Sequence, residues 1–69
     1  PLDLVVFGEI GLSGELRPVP NGQERLREAV KHGLRHAIVP KANCPKQDIK
    51  GMKVTGVEYL SQALEVITQ

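Results

Sequence analysis

The chain has no Trp and only one Phe, one Tyr, one Met and one Cys in 69 residues. Without aromatic bulk its core must be built from aliphatic side chains, and a chain of this length hides only about 60% of its unfolded surface on folding. One modest core of marginal stability is the ceiling. The single Cys44 excludes an internal disulfide framework and cannot by itself supply the roughly four ligands of a structural zinc site, which fits a reducing compartment. No apolar run approaches the roughly 18 to 20 residues of a membrane span, and no signal-peptide pattern precedes the first apolar stretch. The expectation is a soluble, cytoplasmic polypeptide. Strong net charge is also missing, the formal value being +1.

Charge is nevertheless distributed unevenly. Residues 31–53 hold six bases (Lys31, Arg35, Lys41, Lys46, Lys50 and Lys53) against the single acid Asp48, while the flanking stretches are each slightly acidic. A basic middle suits anionic partners such as nucleic acid, and it also suits loops whose lysines merely keep the domain soluble. The apolar share of 41% is that of a globular chain. Because the buried-strand pattern Leu4-Val5-Val6-Phe7 begins after only three residues, residues 1–69 are expected to be one partial domain of a larger protein.

Periodicity predicts an α/β fold with a mixed sheet and two main helices. The apolar run from Leu4 to Gly8 reads as a strand covered on both faces, and Glu15 to Val19 as an edge strand pairing with it in a hairpin. Residues 22–33 are the clearest helix: Asn21 and Glu24 form a capping-box-like start, Leu26, Ala29, Val30 and Leu34 an apolar stripe, and Gly33 a left-handed stop. His36 to Val39 reads as a second buried strand, parallel to the first in a βαβ unit, and Lys53 to Val57 as a third. A short helical turn is expected to begin around Asn43 and Pro45. Leu60, Ala63, Leu64 and Ile67 predict a closing amphipathic helix.

A complete catalytic constellation is not visible. Gly8, Gly11 and Gly14 follow a strand at three-residue spacing, but neither GxGxxG nor the Walker pattern is present, so they read as turn residues. Gly33 separates His32 from His36 and prevents a shared helical metal face. Ser13 and Ser61 lack a GxSxG context, and Cys44 reads as an ordinary exposed or half-buried thiol.

The segments from Gly8 to Val19 and from Ala37 to Asn43 resemble the C-terminal half of the Lon-protease proteolytic domain, a fold similar to the second domain of a small-subunit ribosomal protein. Lon proteases use a Ser-Lys dyad whose lysine, in a Pro-x-Gly-Gly-x-Lys segment, accepts the serine proton. Counted from Pro18, that position is Gln23, which cannot act as a base. The stretches Gly22 to Ala29, Lys31 to Gly33 and Val39 to Asn43 more specifically resemble the Lon-like C-terminal domain of the RadA (Sms) family of bacterial recombination and repair proteins. That resemblance covers nearly the whole chain. It implies a parent protein with a zinc finger and a RecA-like ATPase core, acting as a hexameric, ATP-dependent DNA helicase in branch migration during repair and recombination. ATP, magnesium and zinc are then expected in regions outside these residues, with no catalytic residue and no cofactor here. The partners implied are duplex or branched DNA and further copies of the full-length protein. Lys31, Arg35, Lys41 and Lys46 are the candidate DNA contacts, expected to gather on one edge of the sheet. The remaining alternatives are half of an active Lon-type peptidase, which Gln23 opposes, and a purely structural ring-assembly domain.

Overall fold

The computed structural model describes residues 3–47 and 49–68. Strand β4 (His36–Pro40) is central, with β1 (Leu4–Val6) on one side and β5 (Lys53–Val57) on the other, both parallel to it. The register pairs Val5 with Ala37 and Ile38 with Thr55. Helix α1 (Gly22–Lys31) connects β1 to β4 as the expected crossover, and α2 (Leu60–Thr68) follows β5. Between β1 and α1 lies a small antiparallel ribbon of β2 (Glu9–Ile10) and β3 (Leu16–Arg17).

Side chains alternate along a strand, so β4 feeds two cores. Ala37 and Val39 pack with Leu26 and Ala29 of α1 and with Met52, while Ile38 packs on the opposite face with Val57 and with Ala63 of α2. Leu26, Ile38 and Val39 are essentially inaccessible to solvent. This double coverage explains the apolar run Ala37-Ile38-Val39 of β4, whose first residue, His36, is exposed.

The α/β class and the βαβ crossover agree with the sequence reading, but several local expectations are corrected. β1 is not buried on both faces: among the described residues β4 is the one strand paired with it, and Val6 is 46% exposed. Its register partner is Ile38, but α2 covers the β4 and β5 side of that face and leaves Val6 uncapped. The partner of the 15–19 segment is Glu9–Ile10 rather than β1, the chain turning back on itself between Gly11 and Gly14, where the Gly14 N–H donates to the Gly11 carbonyl at 3.0 Å. The ribbon is tied instead to the start of α2: Leu16 N–H donates to the Glu58 carbonyl at 2.8 Å and Leu60 N–H to the Gly14 carbonyl at 2.8 Å.

At the start of α1, Asn21 adopts a left-handed conformation (φ 62°) and its side chain makes no capping hydrogen bond. A side-chain cap needs an extended N-cap residue. The left-handed turn instead swings the chain sharply from Pro20 into Gly22. The far end is as expected: Gly33 has φ 81°, its N–H donates to the Val30 carbonyl and the Leu34 N–H to the Ala29 carbonyl, both at 3.0 Å. These two bonds are a Schellman stop, and a residue with a Cβ at Gly33 would carry about 1–2 kcal/mol of backbone strain.

The short helical turn is a single 3-10 turn at Lys41–Asn43, so Asn43 ends it rather than starts it. Pro45 lacks an N–H and restrains Cys44 to the extended conformation observed there, which closes the turn. Of the apolar stripe of α2 only Ala63 is buried; Leu64 is 52% exposed, and Leu60 and Ile67 are also exposed. Ala63 is the small residue that lets α2 touch a sheet of three strands, which is too narrow to cover the rest of the stripe. The helix is started by Gln62, whose Oε1 accepts the N–H groups of Glu58 (2.7 Å) and Tyr59 (3.0 Å). Among the described residues, no helix is long and apolar enough to cross a membrane.

Candidate nucleic-acid interface

Parallel strands place all their carboxyl ends on one edge, and α1 begins there. The chain arrives at α1 through Val19, which is held by Asn43 from the far end of β4. Val19 N–H donates to Asn43 Oδ1 at 2.8 Å, and Asn43 Nδ2 donates back to the Val19 carbonyl at 3.0 Å. The carboxamide thus imitates one rung of a β-ladder where no strand exists. Gly22 is required beside it, since a Cβ at that position would lie 2.6 Å from Asn43 Nδ2.

In front of this clamp lies an open groove of about 700 Å³ between the first turns of α1 and the loop after the 3-10 turn. Gln23 and Arg27, four residues apart on α1, form one wall, and Cys44, Lys46 and Gln47 form the other. Arg27 Nη2 reaches Gln23 Oε1 at 3.5 Å. Gln23 therefore faces the groove as a neutral amide. Lys41 stands beside the same edge, 3.9 Å from Glu58, and both side chains are largely exposed. Such a pair contributes roughly 0–1 kcal/mol and leaves the ammonium available to other anions.

Lys31 and Arg35 are elsewhere. They lie at the end of α1 and the start of β4, on the opposite edge of the sheet. The five residues of β4 separate Arg35 from Lys41 by about 20 Å at the rise of an extended strand. The four candidate contacts thus form two groups, and the expectation of one shared edge is not met, because a parallel strand carries its two flanking loops to opposite ends. At the strand-start edge the structure adds a base that sequence reasoning had not placed there. Lys53 N–H donates to the Arg35 carbonyl at 2.8 Å, setting Lys53 next to Arg35 across the sheet. Lys31 is 3.9 Å and His32 Nε2 3.7 Å from Glu28, so His32 turns to its own helix and not to His36. Asp48, the one acid of the basic stretch, lies outside the described residues.

Arg27 was also missed as a site residue, although its spacing of four from Gln23 on a helix was a usable signal. Lys53 gave no comparable signal, since only strand pairing makes it a neighbour of Arg35. In the β2–β3 turn, hydrogen bonds from its own N–H and that of Ser13 (3.1 Å to Oε1), reinforced by Arg17, hold the Glu15 carboxyl below the usual glutamate range. Glu15 is thus a structural anion of the ribbon and no candidate for accepting a proton near neutrality. Among the described residues, no three His, Cys, Asp or Glu side chains gather into a metal-ligating group.

No family model matches the chain. Individual proteins do. It is 65% identical over 66 residues to the DNA repair protein RadA of Escherichia coli K12, covering 96% of this chain and 14% of that protein. The RadA of Aquifex aeolicus is 43% identical over 67 residues, 97% of this chain and 15% of the relative. For Bacillus subtilis RadA the figures are 40% over 65 residues, 93% and 14%. The chain spans about one-seventh of the length of the curated relatives it matches. Its residues correspond, nearly end to end, to one segment of the RadA family, and it is to this segment of that family that the chain belongs.

Proposed function

We propose that this chain is a noncatalytic, Lon-protease-like module of a DNA repair protein, presenting cations to the phosphates of duplex or branched DNA. In this reading the whole protein is a cytoplasmic, ATP-dependent helicase that acts in recombination as a hexameric ring. The observation that carries it is the exposure of Lys41 and Lys46 at the carboxyl edge of the sheet, and of Lys31 and Arg35 at the opposite edge, in a chain homologous to proteins named for DNA repair. Exposed lysines and arginines without a fixed hydrogen-bonding frame neutralise phosphates and do not read bases. In this reading zinc and magnesium-ATP are held in other regions of the protein; the described residues gather no metal-ligand cluster, and the sequence carries no Walker-type phosphate loop.

Each lost phosphate contact flattens the log-log salt dependence of duplex affinity by about 0.9. Lys41→Ala with Lys46→Ala in the full-length protein is therefore expected to flatten that slope by roughly 2. Lys31→Ala with Arg35→Ala, changing the other edge, is expected to do the same if both edges meet DNA in the ring. Affinity is measured against salt concentration, after ATP hydrolysis without DNA is shown to be intact. An unchanged slope in both double variants removes these residues from the contact surface.

The peptidase alternative is disfavoured by Gln23. Neither this chain nor its Gln23→Lys variant is expected to degrade an unstructured protein, because the amide accepts no proton and a lysine there would lack its serine partner. Turnover abolished by a serine-directed inhibitor would reverse that conclusion. A second reading, ring assembly without DNA contact, is favoured by the exposed Leu60, Leu64, Val66 and Ile67 of α2, which form an apolar surface available to a neighbouring subunit or domain.

A further inference from the structure

The groove at the carboxyl edge has features that the general DNA-contact reading does not use. It sits outside the carboxyl ends of parallel strands, where open α/β sheets bind their ligands. Its volume, about 700 Å³, is that of a small-ligand site, enough for a short run of an unpaired strand and too small for a duplex. Arg27 on α1 and Lys46 on the loop after the 3-10 turn both line it, and among the described residues no carboxylate lines it and neither cation is ion-paired. Gln23 and Gln47 add neutral amides able to donate to phosphate oxygens. The wall behind them is held in place by the Asn43–Val19 clamp.

We propose that this groove seats the phosphates of an unpaired nucleic-acid strand, with Arg27 and Lys46 as its cations. The proposal rests on the DNA-contact reading and narrows it: duplex is met on open surface, and an unpaired strand enters the groove. Phe7 and Tyr59 do not line it, so no ring is available to stack on bases. Binding is accordingly phosphate-directed, indifferent to base identity and steeply salt-dependent. An acidic polypeptide fits less well. Extended peptides are captured by pairing with a free strand edge and by apolar side-chain pockets. The walls of this groove are a helix, a 3-10 turn and a polar loop.

Cys44 provides a local reporter, being exposed and part of the groove lining. In the full-length protein, its alkylation by iodoacetamide is followed by peptide-resolved mass spectrometry, so that strand binding elsewhere does not obscure the result. A short oligothymidylate is expected to slow Cys44 alkylation several-fold at low salt, with protection fading as salt rises. A duplex of equal length is expected to protect little. Arg27→Gln with Lys46→Gln, both at exposed positions, should abolish the protection, taken as the ratio of the variant's own alkylation rates with and without oligonucleotide. Absence of protection, protection that survives the double variant, or equal protection by duplex overturns the proposal. Equal protection by polyglutamate also overturns it, in favour of an acidic polypeptide. The salt slope of the Lys31→Ala with Arg35→Ala variant, changed at the edge far from the groove, tests the broader reading separately.

Discussion

Leu26→Asp is expected to unfold the domain. Leu26 is fully buried at the centre of the α1 side of the sheet, in one cluster with Ala37, Val39 and Met52, and the described residues of that cluster are all apolar. A carboxylate there has no partner and must either shed its charge or draw water into the core. The loss of leucine packing adds about 2–5 kcal/mol to the cost of burying an unpaired polar group. Total stabilities of roughly 5–15 kcal/mol are normal, and a chain of this size stands at the low end. The variant should lose its helical circular dichroism, and the full-length protein carrying it should lose its assembled state in light scattering. A folded, normally assembled variant would show that α1 is not anchored through Leu26.

Asn43→Ala should cost about 2 kcal/mol without unfolding the domain. The substitution removes both hydrogen bonds to Val19, a part-buried N–H donor and carbonyl whose only compensation is partial solvation. It also releases the segment that delivers the chain into α1, so the first turn of the helix and the groove beside it should loosen together. Gly22→Ala attacks the same clamp from the other side, by forcing a methyl group against the carboxamide. The two effects are therefore not additive: in an Asn43→Ala background, where the carboxamide is absent, Gly22→Ala should cost markedly less than it does alone. Urea midpoints at constant m-value measure all three variants. Additive losses would mean that Gly22 and Asn43 act independently.

The clamp shows where sequence reading reaches its limit. Asn43 and Val19 are 24 residues apart, and nothing in either neighbourhood marks them as partners. For the ribbon, polar-apolar alternation at Glu15 to Val19 signals a strand but does not say whether it pairs with β1 or with Glu9–Ile10. Asn21 followed by an acid three residues on reads as a capping box, yet the demand for a sharp turn into Gly22 overrode the local preference. For the candidate site, the residue types were legible and their grouping was not. Lys41 and Lys46 flank one end of β4, Lys31 and Arg35 the other, and Arg27 and Lys53 join them only through the placement of α1 and β5.

Legible from sequence alone were the α/β class, the crossover helix with its glycine stop, the apolar centre of β4 and the excess of bases in residues 31–53. These are properties of short windows, where side-chain period, backbone preference and charge act over a few residues. Only the folded chain shows the exposure of Val6 and of the α2 stripe, the Asn43 clamp and the division of the cations between two edges. Each of those depends on which distant segment occupies a given side of the sheet, and that is settled by the packing of the whole chain.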